Sequence, residues 1–404
     1  MNDQLKIALL SREYPPENYG GAGVHVEHLA RELGRLVDVG VYCFGAPRTA
    51  PEVKGAFRPW NELDGPELEL SALRALSVDL AMAKAVRGRS LVHSHTWYAN
   101  FAGHLAKLLY GVPHVMTTHS LEPFRPWKAE QLAGGYAISS FCERTAIEAA
   151  DAVIAVSAAM KADILRAYPA VDPNRVHVIC NGIDPEAFQP DSATDVLERY
   201  GINPSWPYVV FVGRITRQKG IVHLLRAARH LVPYAALVLC AGEPDTPEIG
   251  EEVRSLVREL ERDRGGVFWI EQMMPRPELV QILSRARVFC CPSVYEPFGI
   301  VNLEAMACGV AVVASHVGGI PEIVVPGVTG ELVAFEPDGT PRAEPRDPEA
   351  FARDLAAALN RVLEDEALAR RMGEAGRERV REHFSWSAIA KQTVALYERL
   401  LSRG

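Results

Sequence analysis

A chain of 404 residues, 48% hydrophobic and 23% charged, is long enough for two domains and too apolar for intrinsic disorder to be its main state. Its 51 acidic against 43 basic side chains give a formal charge of −8, which excludes the basic footprint of a nucleic-acid-coating or membrane-surface protein but not a local basic pocket. No apolar run reaches the ~20 residues of a membrane helix. Met1–Gln4 carries no signal-peptide pattern, and seven cysteines without a C-x-x-C spacing fit buried thiols in a reducing cytoplasm.

Taken in chain order, short β-branched runs predict strands over 6–10, 39–44, 90–95, 114–119, 152–157 and 176–180. Helices are expected between them over 22–36, 99–110, 129–149 and 159–168. The strands are nearly continuous apolar runs, the mark of a parallel sheet covered on both faces. A Pro- and Asp-rich stretch, 184–206, reads as a linker with one short helix. The pattern then restarts with strands over 208–214, 236–241, 267–272, 288–293, 311–316 and 330–335, and helices over 220–231, 249–264, 277–286 and 300–308. Beyond the polar loop 337–348 only helices are expected, over 348–365, 366–383 and 386–401. Two α/β units result, and ligands of such sheets bind beyond the carboxyl ends of the strands. Facing one another, the units would form a cleft.

Four constellations sit at such strand ends. Gly20-Gly21-Ala22-Gly23 opens the first helix, where backbone N–H groups can approach an anion. It is not G-x-G-x-x-G, and no acidic residue ends strand two, which disfavours a dinucleotide dehydrogenase; a structural tight turn explains the glycines equally well. Arg214 and Lys219 flank a loop after the first strand of the second unit, two cations suited to a diphosphate or to a solvated turn. Glu296 precedes a helix opened by Phe298-Gly299-Ile300, and Glu304 lies about 7 Å further along its axis. Two carboxylates at that offset can grip two hydroxyl-bearing parts of one ligand. Lastly, His93, His95 and His119 end two strands of the first unit. A His-x-His pair admits a metal, but no third ligand has telling spacing, so polar strand ends facing the cleft are the better reading. His25 and His28 read as packing or solvated residues. The loop after His119 carries Arg125, Trp127 and Lys128, groups suited to a phosphorylated or carbohydrate partner or to plain surface.

Together, Glu296-x7-Glu304, Arg214 with Lys219, the Gly20–Gly23 turn and the loop Val317-Gly318-Gly319-Ile320-Pro321-Glu322 resemble the retaining glycosyltransferases of family 4, over essentially the whole chain. The stretches 11–25 and 119–131 look like the glycogen-synthase branch of actinobacterial type, whose members make α-maltose 1-phosphate or extend α-1,4-glucan. In one departure, Tyr19 stands directly before the paired glycines, where the glycogen synthases of family 5 carry Lys.

The resemblance implies the GT-B fold: an α/β protein of two Rossmann-like parallel-sheet domains facing a cleft, 1–190 plus 386–404 on the acceptor side and 191–385 binding the nucleotide sugar. The last helix is expected to cross back to the first domain. It implies a nucleotide-sugar-dependent hexosyltransferase that moves glucose from ADP-glucose or UDP-glucose with retention. The leaving diphosphate deprotonates the acceptor, and no side chain serves as covalent nucleophile. Glu296 would contact the donor sugar near its 3-hydroxyl, His119 its 6-hydroxyl, and Glu304 the ribose. Arg214, Lys219, Gly20, Gly21, Gly23 and the Phe298-Gly299-Ile300 turn would hold the diphosphate. With cations in that role, no cofactor and no essential metal are expected. The acceptor is expected to be glucose 1-phosphate, bordered by Arg125, Lys128 and Trp127, giving maltose 1-phosphate for glycogen synthesis. A neutral α-glucan, the alternative, would stack on aromatics such as Trp127 or Trp97. A family 4 enzyme with another donor, such as a sucrose- or trehalose-type synthase, is the nearest rival; another acceptor and a sugar-nucleotide epimerase also remain open, while the full set of cations and carboxylates argues against a non-catalytic sensor. Nucleic acid and membrane partners are not expected, and a homodimer is left open.

Overall fold

The apolar runs assemble into two parallel sheets, one in each of two units, 1–182 with 386–404 and 183–385. The computed structural model describes residues 5–17, 21–125, 128–340 and 343–402, without the side chains of 130 and 131.

In the first unit the strands are β1 Lys6–Ser11, β2 Asp38–Phe44, β3 Val53–Phe57, β4 Leu91–His95, β5 His114–Thr118, β6 Ala152–Ala155 and β7 Val176–Val178. Helices α1 Gly21–Leu33, α2 Leu70–Ala85, α3 Trp97–Tyr110, α4 Lys128–Leu132, α5 Gly135–Ala149 and α6 Ala158–Ala167 connect them. The second unit holds α7 Asp195–Arg199, β8 Tyr208–Val212, α8 Ile221–Ala228, β9 Ala236–Cys240, α9 Pro247–Asp263, β10 Val267–Ile270, α10 Arg276–Arg285 and β11 Val288–Cys291. It continues with α11 Ile300–Ala307, β12 Ala311–Ser315, α12 Ile320–Ile323, β13 Gly330–Val333, α13 Pro348–Glu364 and α14 Glu366–His383. The last helix, α15 Trp386–Leu401, belongs to the first unit.

The strand orders are β3-β2-β1-β4-β5-β6-β7 and β10-β9-β8-β11-β12-β13. Each reverses direction once, between β1 and β4 and between β8 and β11, and a doubly wound sheet opens its ligand crevice at that reversal. β1, β4 and β8 are almost wholly buried, as continuous apolar strands with helices on both faces must be.

The return of α15 is fixed by its apolar face. Trp386, Ile389, Leu396 and Tyr397 join one core with Ile7 and Leu9 of β1 and Val26 and Leu29 of α1. Each aliphatic side chain so buried contributes about 1.5–3 kcal/mol. A Cβ on Gly182 would come within 2.7 Å of the Trp386 ring, so a side chain there would push the helix away.

Three local features depart from the sequence expectation. β3 pairs only with β2, and its Lys54 and Gly55 hide a half-exposed edge strand. α2 has exposed Leu73 and Leu80 beside a buried face and so lacks a clean apolar stripe. The single helix expected over 129–149 is broken: Ala133 takes φ +45° before Gly134 and Gly135, and α5 starts afresh. Among the described residues no helix is long and apolar enough to cross a membrane.

Candidate active site

In the second unit the loops after β8 and β11 are laced together. Thr216 Oγ1 caps the turn by accepting from the Lys219 N–H at 3.2 Å, and the Val294 N–H donates to Gln218 O at 3.0 Å. Gly220 takes φ +65°, and a Cβ there would lie 2.0 Å from Pro292 O, so only glycine permits this approach. Lys219 is thereby placed with its Nζ 2.6 Å from Glu296 Oε2, and Ser293 Oγ donates to the same oxygen at 3.2 Å. Burial pulls the Lys219 ammonium down, and the Glu296 carboxylate beside it more than offsets this, leaving it raised. Arg214 Nη1 donates to Asp245 Oδ1 at 2.7 Å, and the Asp245 N–H is held by Ile215 O at 3.0 Å.

Glu296 is fixed from behind as well. The Gly319 N–H donates to Glu296 O at 2.9 Å, while Gly318 takes φ +51°, and a Cβ there would meet that same oxygen at 1.9 Å. This gives Gly318 of the 317–322 loop its physical reason, whereas Gly319 at φ −80° contributes only its backbone N–H. Gly299 stands at the N-terminus of α11 without a side-chain cap, and of the first-turn N–H groups that a helix leaves without intrahelical partners, that of Asn302 is taken by Gly299 O at 2.9 Å. Inside α11, burial pushes the Glu304 carboxyl up to about 7, against the pull of the Arg276 and Lys219 charges. Phe298 does not present its ring to a ligand: it is 2% exposed and edge-on to Phe384 at 6.0 Å, so its side chain belongs to the core.

In the first unit the crevice is lined by imidazoles. Nδ1 of His95 and Nε2 of His119 are 3.1 Å apart, and the His25 ring stands edge-on to His119 at 4.7 Å. His93 is pinned by Tyr397 OH at 2.6 Å and Thr117 Oγ1 at 2.7 Å. Trp386 stacks on His28 and meets His25 edge-on, so α15 buttresses the whole array. Burial drives the rings of His25, His93, His95 and His119 below their usual range, His25 to about 4, so all four are neutral. Gly21 and the buried Gly23 form the first turn of α1, while Gly20 lies outside the described residues.

The residues expected at the acceptor take different surroundings. Arg125 Nη1 donates to Ser120 Oγ at 3.0 Å, with its Nε lacking a partner among the described residues. Lys128 is 7% exposed and its ammonium lies 5.7 Å from the Tyr98 ring centroid. Trp127 lies outside the described residues. Trp97 is buried against Tyr98, so it offers no stacking platform for a glucan.

The geometry adds residues that spacing did not reveal. Asp245 holds Arg214, Ser293 holds Glu296, Arg12 packs its guanidinium 4.1 Å over Tyr98, and His25 joins the strand-end histidines from α1. Arg12, Tyr98 and Asp245 each follow closely on a strand (β1, β4 and β9), and that position was the available signal.

Residues 194–379 match the family described as glycosyl transferases group 1, and residues 19–187 match glycosyltransferase family 4. The chain belongs to glycosyltransferase family 4. It is 54% identical to the α-maltose-1-phosphate synthase of Mycolicibacterium smegmatis, over 98% of this chain and all of that one. It is 31% identical to the D-inositol 3-phosphate glycosyltransferase of Corynebacterium diphtheriae, over 97% of this chain and 94% of that one. Among solved structures, the sucrose-phosphate synthase of Thermosynechococcus elongatus superposes with a TM-score of 0.80 at 28% identity, covering 99% and 100% of the two chains. The two parallel-sheet units and the glycosyltransferase activity read from the sequence are thus those of its family.

Proposed function

We propose that this family 4 glycosyltransferase is a retaining α-1,4-glucosyltransferase that moves glucose from ADP-glucose or UDP-glucose to glucose 1-phosphate, giving maltose 1-phosphate. The observation that carries this reading is the full-length, 54% likeness to a protein named α-maltose-1-phosphate synthase. The chemistry of the two crevices agrees with it. In the second unit Lys219, Arg214 and the first-turn N–H groups of α11 are charge donors for the diphosphate, with Glu304 for the ribose and Glu296 for the glucosyl hydroxyls. Their work is to stabilise negative charge as it grows on the leaving group. In the first unit the neutral His119 ring suits a sugar hydroxyl, to which an imidazole nitrogen can donate or accept. A phosphate-bearing acceptor is supported by the cations Arg12, Arg125 and Lys128 of that unit. On this reading the leaving diphosphate takes the acceptor proton, and turnover persists in excess chelator because Lys219 and Arg214 supply the positive charge.

Purified protein with ADP-glucose or UDP-glucose, offered glucose 1-phosphate and glycogen, tests the assignment. The expected result is nucleoside diphosphate release matched by maltose 1-phosphate. Preference for glycogen at equal concentration of acceptor ends would overturn the acceptor while leaving glucosyl transfer standing.

A further inference from the structure

Three imidazoles from three separate elements converge in the first unit. One ring nitrogen each from His25 of α1, His95 at the end of β4 and His119 beyond β5 lie within 4.8 Å of one another. His95 Nδ1 and His119 Nε2 share a hydrogen bond at 3.1 Å; a cation that displaced its proton would find them close to the N···N edge of about 3.3 Å in a tetrahedral site with Zn–N bonds of ~2.0–2.1 Å.

Two further observations point to a ligand. Nε2 of His25 is buried and has no hydrogen-bond partner among the described residues. The His25 tautomer is also set: Asn181 Oδ1, 2.7 Å from His25 Nδ1, only accepts, so Nδ1 carries the proton and Nε2 presents its lone pair. An acceptor behind the far nitrogen is the usual support of a metal-bound histidine. The ring is further fixed by Trp386, edge-on at 5.2 Å, and His95 by His93, whose ring centroid is 4.3 Å away. An all-imidazole donor set without a carboxylate suits zinc-class cations and not magnesium or calcium.

We propose that His25, His95 and His119 form a binding site for a zinc-class divalent cation, and that its occupancy inhibits the enzyme by withdrawing the His119 ring from the donor sugar. The inhibition rests on the role given to His119 above; the binding does not.

The test uses the full chain, stripped of metal, titrated with Co²⁺ as a spectroscopic probe and with Zn²⁺ as competitor. About one equivalent of Co²⁺ should bind with the ligand-field absorption of a four-coordinate nitrogen site, and Zn²⁺ should displace it. His25→Ala should abolish that spectrum. Because His25 is a core residue, Asn181→Ala, which keeps all three ligands, is read beside it and should weaken binding about 10–100-fold. A near-ultraviolet thiolate-to-cobalt band, the absence of a four-coordinate spectrum, or unchanged affinity in both variants would overturn the site. In the transferase assay Zn²⁺ should inhibit at the concentration at which it displaces Co²⁺, chelator should restore the rate, and Asn181→Ala should need about 10–100-fold more Zn²⁺. Zinc occupancy that leaves turnover unchanged would overturn the inhibition. Absence of any glucosyl transfer would refute the proposed function, while the Co²⁺ spectrum would still read the site.

Discussion

Beyond β8, β9 and β11 of the second unit stand two ion pairs, Lys219–Glu296 at 2.6 Å and Arg214–Asp245 at 2.7 Å. Beyond β1, β4 and β5 of the first unit, at the same reversal of an equivalent sheet, stand imidazoles that burial keeps neutral. The strand order therefore sets where chemistry is placed, and local side chains set which chemistry. The second unit stores charge, with each cation held by a carboxylate so that neither is left alone in a low-dielectric site. On the proposed function that arrangement suits a diphosphate, whose arrival would let the cations exchange one anion for another. The first unit stores uncharged donors and acceptors, which suit hydroxyl groups.

The largest expected effect removes the charge from the second unit. Lys219→Ala or Arg214→Ala should lower kcat by about 10²–10³, the usual consequence of losing a preorganised charge donor. Lys219→Ala also leaves the buried Glu296 without its cation, so its loss should be the greater of the two. Steady-state kinetics with saturating donor and acceptor measure this. Near-normal turnover in both variants would dissolve the contrast between the units.

Next in size come the cations of the first unit. If these serve the acceptor phosphate, Arg12→Ala and Arg125→Ala should each raise KM for glucose 1-phosphate, leaving donor KM and kcat in place. A charge-assisted contact of about 1.5–3 kcal/mol corresponds to roughly ten- to a hundredfold. A matching rise in donor KM would show that this unit handles the donor's charge too.

How far the sequence discloses this arrangement depends on range. Strand cores such as 6–10, 236–241 and 311–316 are legible because both faces are buried and the run is continuously apolar. The edge strand β3 and α2, whose polar Ser77 and Asp79 are buried while Leu73 and Leu80 are exposed, carry no such signal. At the site, Arg214, Lys219, Glu296 and His119 are legible because each closely follows a strand, but their company is not. Lys219 and Glu296 are 77 residues apart, and Arg214 and Asp245 are 31 apart. His25 joins His95 and His119 only because α1, packed on β1, β2 and α15, brings its ring within 5.3 Å of His95 and 4.7 Å of His119, which no spacing along the chain encodes.

The histidine array supplies a smaller effect. Tyr397 on α15 is fully buried, and its hydroxyl meets His93 Nδ1 at 2.6 Å. Tyr397→Phe keeps the packing and leaves that nitrogen unsatisfied, at a cost of about 1–3 kcal/mol. Denaturant unfolding should show it as a lower midpoint with an unchanged slope. An unchanged midpoint would mean that α15 contributes packing alone to the array.

The smallest effect is a pH dependence that separates the units. Glu304 titrates at about 7 because burial disfavours its charged form. It is ionised above that value and protonated below it, and the ionised form is the better acceptor for ribose hydroxyls. At pH 8 about nine-tenths of it is ionised and at pH 6 about one-tenth. Donor KM, measured at saturating acceptor, should therefore rise about tenfold from pH 8 to pH 6. His25, His95 and His119 of the first unit stay neutral across that window, since burial lowers each of them. Glu304→Gln should flatten the profile, because its side chain keeps an acceptor oxygen and cannot titrate. If the inflection survives in Glu304→Gln, another group sets it, and the assignment of Glu304 to the ribose loses its pH signature.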